Sequence, residues 1–469
     1  MNAFKIQDVL DATGAALLRG DPKRLVHGVC TDTRTLKSGE LFLALSGPNF
    51  DGNRFAREAL EKGAAGLMLT GTDGAPPADL RELPRDTPLL LHRNPRTALA
   101  ELAMWYRSRL TARVVGITGS CGKTTTKNIL IELLSSRWRT VGSQNSFNND
   151  IGVPHTLFQA DDETEALVVE IGTNNPGEIE ALCRIAQPDA GIITTIGASH
   201  LEGLGSIEGV AREKSALVAS VPRDGFCVLN ADSTWTRWIR TQTGAQVITF
   251  SLDGDGDLNA TDVWFHSGGT TFRLDGREVT SPLLGLHNVQ NLLAALAACR
   301  GLGLELADVL PAVSRLKAGR GRLDRIQCGR ITLIDDSYNA NPESARASVR
   351  VLSGLHGHRR RVLVLGDMLE LGSLAAELHF QIGSEAARSG IDMLVLVGEL
   401  TRATAAGALE GGLAAERMVH VADTEEALVR VPPLLESGDV VLVKGSRRTG
   451  LDRLVKHLVE VERSREHAA

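Results

Sequence analysis

Aromatic residues are scarce in this 469-residue chain: they make up 4% of it, and only two are tyrosines. A protein that stacks bases along a nucleic-acid strand needs more such rings, and it needs positive charge, whereas the net charge here is −6. Nucleic acid is therefore not an expected partner. None of the six cysteines, at positions 30, 121, 183, 227, 299 and 328, belongs to a CxxC pair. That spacing argues against a zinc site or a disulfide frame and fits reduced thiols in the cytoplasm. No run approaches 18 apolar residues, and the N-terminal MNAFKIQDVL has no apolar signal core, so membrane insertion is not expected either. What remains, 43% hydrophobic and 23% charged, is the composition of a soluble globular protein whose length asks for about three domains.

The most informative stretch is RVVGITGSCGKTTTKNILIELLSS, residues 113–136. A short β-branched run (Val114, Val115, Ile117) reads as a buried parallel strand. It breaks at Gly119-Ser120-Cys121-Gly122. A helical pattern starts at Lys123-Thr124-Thr125, with Thr126, Leu130, Leu133 and Leu134 on one face. Strand, glycine loop, Lys-Thr and helix together make a phosphate-binding P-loop. Backbone N–H groups turn toward the anion, and the helix N-terminus adds its positive end. Lys123 would reach the β/γ-phosphates and the Thr124 hydroxyl would sit on Mg²⁺. Ile117 stands where the common pattern has its first glycine. ATP or GTP is the expected ligand.

Before the P-loop, strands LFLAL (41–45) and AGLMLT (65–70) alternate with a helical stretch over 53–62. Asp32, Arg34, Ser46, Gly47 and Asn49 flank the first strand and can converge on a ligand, or Asp32 and Arg34 can be a solvated pair. A proline-rich loop over 71–88 and a helix around 96–110 follow, with a domain boundary near 108–112.

Beyond the P-loop, Asn148, Asn149 and Asp150 form a polar loop that also reads as turn and cap chemistry. The apolar run Leu167–Val169 ends in Glu170, an acid at a buried strand end, where P-loop folds hold Mg²⁺. The strand Ile192–Ile196 delivers His200 and Glu202 to a loop, and the next helix carries Lys214; His200 reads equally as a ligand or as a structural histidine. GLHNVQNLLAALAAC (285–299) opens an amphipathic helix with His287, Asn288 and Asn291, whose amides suit an adenine edge or a helix cap.

From about residue 323 apolar strands alternate with amphipathic helices, the pattern of a parallel, Rossmann-like sheet. No GxGxxG follows its first strand, which argues against dinucleotide binding. Instead, polar clusters at strand ends offer Asp336, Asn339 and Asn341 beside Lys444, Ser446 and Arg447. Such a set suits a small zwitterion, and it also reads as strand-end turns in which Pro342 starts a helix. The basic run His358–Arg361 reads as a solvated loop.

With these residues assembled, the chain resembles the ATP-dependent Mur ligase family, which builds the peptidoglycan stem peptide. TGSCGKTT, VVEIGTN, IGASHLEGLGS…AREK, GLHNVQN, DDSYNANP and VLVKGSR stand in the family's order over nearly the whole chain. The resemblance implies an α/β fold of three domains. These are a small mixed α/β N-terminal domain (1–110), a central P-loop parallel-sheet ATPase domain (111–322) and a C-terminal Rossmann-like domain (323–469). DSYNANP, GDMLELG…His379 and VLVKGSR resemble the branch that adds D-alanyl-D-alanine to UDP-N-acetylmuramoyl-tripeptide. The sister enzyme that adds the third amino acid is the alternative. Folylpolyglutamate synthase, which lacks a UDP-binding domain, and a nucleotide-driven regulator that ligates nothing are further ones.

By motif match, Asp32, Arg34, Ser46, Gly47 and Asn49 bind the UDP part, with Thr33 and Asn53 departing from the family's common residues. Asn288 and Asn291 would face adenine, Asp336 the ribose, and Arg322 the transferred phosphate. Asn339, Asn341, Ser446 and Arg447 would hold the dipeptide. Thr124 and Glu170 would ligate one Mg²⁺ and His200 a second, with Lys214 carbamylated to supply an oxygen ligand. Three substrates approaching from three domains imply closure of the C-terminal domain onto the central one. Nothing in the sequence demands more than a monomer.

Overall fold

The computed structural model describes residues 1–47, 50–71, 86–144, 146–266 and 268–468. Asn49 and most of the proline-rich 71–88 stretch lie outside the described residues. Three sheets organise the rest. In the first, strands Val29–Cys30, Leu41–Leu43, Gly66–Thr70 and Leu89–His92 run parallel, and Ala16–Arg19 adds an antiparallel edge. The helical stretch expected over 53–62 is a 3₁₀ turn, Gly52–Phe55, running into the helix Ala56–Glu61.

The helix Pro95–Arg107 connects this sheet to the central one. Its apolar face (Ala98, Leu99, Leu102, Ala103, Tyr106) lies in one continuous core with Val29 and Leu43 on one side and Val114, Leu167 and Ile179 on the other. Burial thus continues across residues 108–112, so the first domain is packed on the second and not merely tethered to it.

The central sheet has nine strands. Seven are parallel, in the order Thr140–Gly142, Ala166–Glu170, Arg113–Thr118, Ala190–Ile193, Phe226–Asn230, Gln246–Ser251 and Leu258–His266. An antiparallel meander (Gly269–Leu274, Arg277–Ser281) completes the edge. The P-loop strand therefore lies between the strand ending in Glu170 and the strand leading to His200, with Ile117 in register with Glu170 on one side and Ile192 on the other. A fully buried apolar side chain at 117 suits that central position better than a glycine would.

The helix Leu286–Gly301 is not amphipathic as its sequence suggested. Asn288, Val289 and every residue from Asn291 to Cys299 are buried, because it runs between the P-loop helix Lys123–Ser135 and the strands beyond it. A helix apolar on all sides is a core helix.

The C-terminal sheet places Ile331–Asp336, Val440–Lys444, Arg361–Gly366, Met393–Val397 and Met418–Val421 side by side and parallel, with Asp324–Cys328 antiparallel at the edge. Its two cores draw on residues from 323 onward, Leu284 excepted, so this domain meets the central one mainly through polar loops. The basic run at 358–361 is only partly a solvated loop. Arg360 makes a two-pronged pair with the fully buried Asp439, Nε–Oδ1 3.0 Å and Nη2–Oδ2 2.7 Å, and Arg361 opens a strand.

Candidate active site

A cavity of about 670 Å³ opens between the central and C-terminal domains. The P-loop residues Ser120–Thr125 form its floor, Glu170 and His200 one wall, and Arg322, Asp336, Asn339, Asn341 and Lys444 the other. The loop is shaped by two glycines with positive φ, Gly119 (151°) and Gly122 (87°). A Cβ on Gly119 would run into Thr194 Oγ1, and one on Gly122 into Asn291 Oδ1. The loop is also tied down from the neighbouring strand end. The Ser120 N–H donates to Thr195 O (2.9 Å) and the Cys121 N–H to Thr195 Oγ1 (3.0 Å). These two amides are committed to protein, so the anion-facing donors are the first N–H groups of the helix from Lys123 on, which have no intrahelical acceptor. Lys123 Nζ donates to Gly119 O at 2.6 Å, and burial holds its ammonium below the usual lysine range.

Glu170 is 1% exposed, and the sequence did not reveal its partner. Lys127, one helical turn after Lys123 and equally buried, brings Nζ to 3.4 Å from Glu170 Oε2, while Asn148 Nδ2 donates to Oε1 at 2.9 Å. The i, i+4 spacing of the two lysines was the available signal. Oε2 itself accepts no hydrogen bond. Replacing Lys127 by methionine is expected to destabilise the protein by about 3–5 kcal/mol, read by denaturant unfolding, because a buried carboxylate then loses its cation.

Lys214, on the helix Ile207–Ala219, is 1% exposed and forms no ion pair with a described residue. Burial pushes its ammonium well below the usual lysine range, and the nearby Lys123 pushes it further, against the raising effect of Glu213. Glu213 is itself occupied: it accepts from the N–H groups of Gly177 (2.7 Å) and Ile179 (2.8 Å) at a helix start. His200 is also held below its usual pKa, first by burial and then by Lys123, and its Nδ1 lies 2.7 Å from Glu370 Oε2 of the C-terminal domain. Among the described residues no three His, Cys, Asp or Glu side chains gather as a ready metal cage. Glu170, whose Oε2 accepts no hydrogen bond, lines the same cavity as Thr124, and two such oxygens fit Mg²⁺, which takes one or two protein oxygens and completes its shell with water and phosphate.

Arg322 reaches the same place from the domain junction. Its Nη2 donates to Thr124 Oγ1 at 2.9 Å, and its guanidinium stacks over the Tyr338 ring at 4.2 Å. Asn288 and Asn291 are buried and largely spoken for. Asn288 Nδ2 donates to Leu284 O (2.9 Å), Asn291 Nδ2 to Asn288 Oδ1 (3.0 Å), and Thr126 Oγ1 to Asn291 Oδ1 (3.2 Å). Beside them a second cavity of about 240 Å³ is lined by Leu252, Phe265, Leu284, His287 and Gln290. Burial pushes the His287 imidazole down to about 4, so it is neutral.

Asp336 Oδ2 accepts from Lys444 Nζ (2.7 Å) and Ser348 Oγ (2.6 Å). Asn341 caps the helix Pro342–Gly354, as the Asn-Pro pair suggested, and its Nδ2 donates to Ser120 O across the domain seam at 3.2 Å. Asn339 faces the cavity, whereas Ser446 is buried with its hydroxyl accepting from the Leu369 N–H, and Arg447 is exposed outside the cavity lining. At the far end of the molecule Asp32 and Arg34 form an exposed pair at 2.6 Å, and Ser46 Oγ donates to Asp51 Oδ1 at 3.2 Å. Among the described residues no hydrogen bond or ion pair links these two groups. The sequence reading passed over His155, whose Nε2 lies 2.9 Å from Thr31 Oγ1 at the seam between the first two domains.

Comparison with known proteins matches each part of this arrangement. Residues 25–107 fit the Mur ligase family catalytic domain, 117–299 the Mur ligase middle domain and 321–447 the Mur ligase glutamate ligase domain. The chain is 38% identical over 446 residues to the UDP-N-acetylmuramoyl-tripeptide–D-alanyl-D-alanine ligase of Escherichia coli K12, covering 93% of this chain and 94% of that one. This protein belongs to the Mur ligase family. Among solved structures, a crystal structure of MurF from Acinetobacter baumannii superposes with a TM-score of 0.87 at 31% identity, covering 98% of this chain and 99% of that one. MurF ligase of Thermotoga maritima, solved with ADP, superposes with a TM-score of 0.80 at 25% identity over 93% of this chain and 98% of that one.

Proposed function

We propose that this chain joins D-alanyl-D-alanine to UDP-N-acetylmuramoyl-tripeptide, converting ATP to ADP and phosphate, in peptidoglycan precursor synthesis. The observation that supports it best is a P-loop facing Glu170, His200 and Arg322 across a cavity also lined by the Asn339–Asn341 loop. A carboxylate and an amine do not condense in water unaided. An oxygen of the tripeptide's terminal carboxylate attacks the γ-phosphorus, ADP leaves, and an acyl phosphate results. The dipeptide nitrogen then attacks the carbonyl carbon, phosphate leaves, and the nitrogen loses a proton. Lys123 and Arg322 supply the positive charge along this path, and the stacked Tyr338 ring keeps Arg322 aimed at it.

Thr124 and Glu170 would hold one Mg²⁺, and His200 with a carbamylated Lys214 a second. Bound Mg²⁺ neutralises the charge shared by the β- and γ-phosphates. Carbamylation joins a neutral amine to CO₂, and the depressed ammonium of Lys214 makes that neutral amine accessible. Adenine would enter the 240 Å³ apolar cavity beside Asn291 and the neutral His287, with Asp336 toward the ribose. We divide the chain into a UDP-substrate part (1–110), an ATP part (111–322) and a dipeptide part (323–469). Asp32, Arg34, Ser46, Gly47 and Asn49 serve the first. Asn339 and Asn341, with Ser446 and Arg447 behind them, serve the last. Nucleotide-linked substrates suit a cytoplasmic enzyme, and we take the chain to act as a monomer.

Phosphate release measured with ATP, the UDP-linked tripeptide and D-alanyl-D-alanine, each omitted in turn, tests the assignment. All three should be required. Release that needs only ATP, or ATP and a folate, would overturn it, and turnover with a single amino acid on a UDP-linked dipeptide would favour the sister ligase.

A further inference from the structure

Six non-glycine residues among those described have positive φ, and two of them, His200 (53°) and Glu370 (64°), meet across the seam between the central and C-terminal domains. A positive φ is uncommon for a non-glycine residue, less so for histidine than for glutamate, and residues held there often cluster at functional sites. The contact itself offers little. Glu370 is 52% exposed, and exposed ion pairs contribute little to folding. Its surroundings nevertheless define its place. The Glu202 N–H donates to Glu370 O at 3.4 Å, and Leu378, on the helix that follows, packs on Ala198, Leu201 and Leu204 of the His200 loop. His379, fully buried, accepts from the Met368 N–H at 3.0 Å and so braces the loop that presents Glu370.

A carboxylate facing Nδ1 accepts the proton that nitrogen carries. The ring is then fixed in the tautomer whose Nε2 lone pair is free, and its orientation is set. We infer that Glu370 is a positioning residue that makes His200 fit to ligate a metal ion, and that it does so only when the C-terminal domain is seated on the central one. The domain carrying the dipeptide site thereby completes the metal site of the domain carrying ATP. Metal binding and domain seating become one event, which keeps the phosphate-transfer machinery incomplete in an open molecule.

This rests on His200 being a metal ligand, so the test includes His200→Ala. Mn²⁺ binding to the full chain, with a non-hydrolysable ATP analogue and the UDP-linked tripeptide, is followed by paramagnetic resonance. Glu370→Ala is expected to weaken the His200-dependent Mn²⁺ site about 10–100-fold, as loss of an outer partner of a ligating histidine does. Glu370→Gln, whose amide oxygen still accepts from Nδ1–H, should recover most of it. In turnover the Mg²⁺ concentration for half-maximal rate should rise in Glu370→Ala while the rate at saturating Mg²⁺ falls far less. Unchanged Mn²⁺ binding in Glu370→Ala but not in His200→Ala would overturn the inference and leave the ligase reading intact. Unchanged binding in His200→Ala would overturn both the inference and the second-metal assignment. Equal losses in the alanine and glutamine variants would show that the acceptor is not what matters, and would also overturn it. An unaltered melting temperature in each variant separates these results from misfolding.

Discussion

Replacing Lys214 by methionine is expected to slow ligation severely while making the folded protein more stable. The lysine is 1% exposed, lies near Lys123 and forms no ion pair with a described carboxylate. Its ammonium is therefore disfavoured in the fold, and the unfolded chain binds the proton more readily. The sign follows from that difference: stability rises with pH wherever the unfolded state holds more protons. The penalty is absent above the unfolded lysine pKa of about 10.4 and grows as pH falls toward the depressed folded value. Methionine fills similar space with no charge, so the variant should gain about 1–3 kcal/mol near neutral pH, the range for removing an unpaired buried polar group. The gain should shrink toward pH 10. Melting curves of both proteins across this range in CO₂-free buffer check it. Activity should move the other way, down by roughly 10² to 10³-fold, the usual loss when one electrostatic stabiliser is removed. Bicarbonate should restore rate to CO₂-depleted native protein and do nothing for the variant. A variant that keeps its rate within tenfold would remove Lys214 from the mechanism.

Arg322→Ala should reduce turnover even more, by roughly 10³ to 10⁵-fold, as loss of an arginine that meets transferred phosphate does. The geometry gives the reason: the guanidinium is fixed on two sides, by Thr124 Oγ1 at 2.9 Å and by the Tyr338 ring at 4.2 Å, and so needs no rearrangement during transfer. Arg322→Lys should recover little. A lysine ammonium cannot lie flat on the ring and donate sideways at once. Steady-state phosphate release, with ATP binding followed separately, distinguishes this from a binding defect: the loss should fall on turnover, with ATP affinity changed far less. Near-native turnover in Arg322→Lys would show that charge alone suffices there.

The features that could be read in advance are those whose partners are near in sequence or whose geometry repeats. The P-loop spans a few residues, and its glycines, lysine and helix start follow from local sterics. The alternation of apolar strands with helices after residue 323 gave the parallel sheet, and Asn341-Pro342 gave a helix start. Periodicity failed for the Leu286–Gly301 helix, since an apparent polar face in a single sequence cannot tell what will pack over it. It also failed for Arg360, whose partner Asp439 lies 79 residues on and belongs to another strand end.

Sequence alone thus determined that a glycine loop runs into a helix at Lys123-Thr124, that a parallel α/β architecture carries that loop, and which polar strand ends are available beside it. Those properties are set by backbone sterics and by hydrophobic period, both local. The pairings were decided only by the tertiary structure: Lys127 with Glu170, Arg322 with Thr124 and Tyr338, Asn341 with the P-loop carbonyl, and His200 with Glu370, 170 residues away. Each depends on which strand lies beside which and how two domains are seated, and side-chain charge has no preferred partner until that packing brings one within reach.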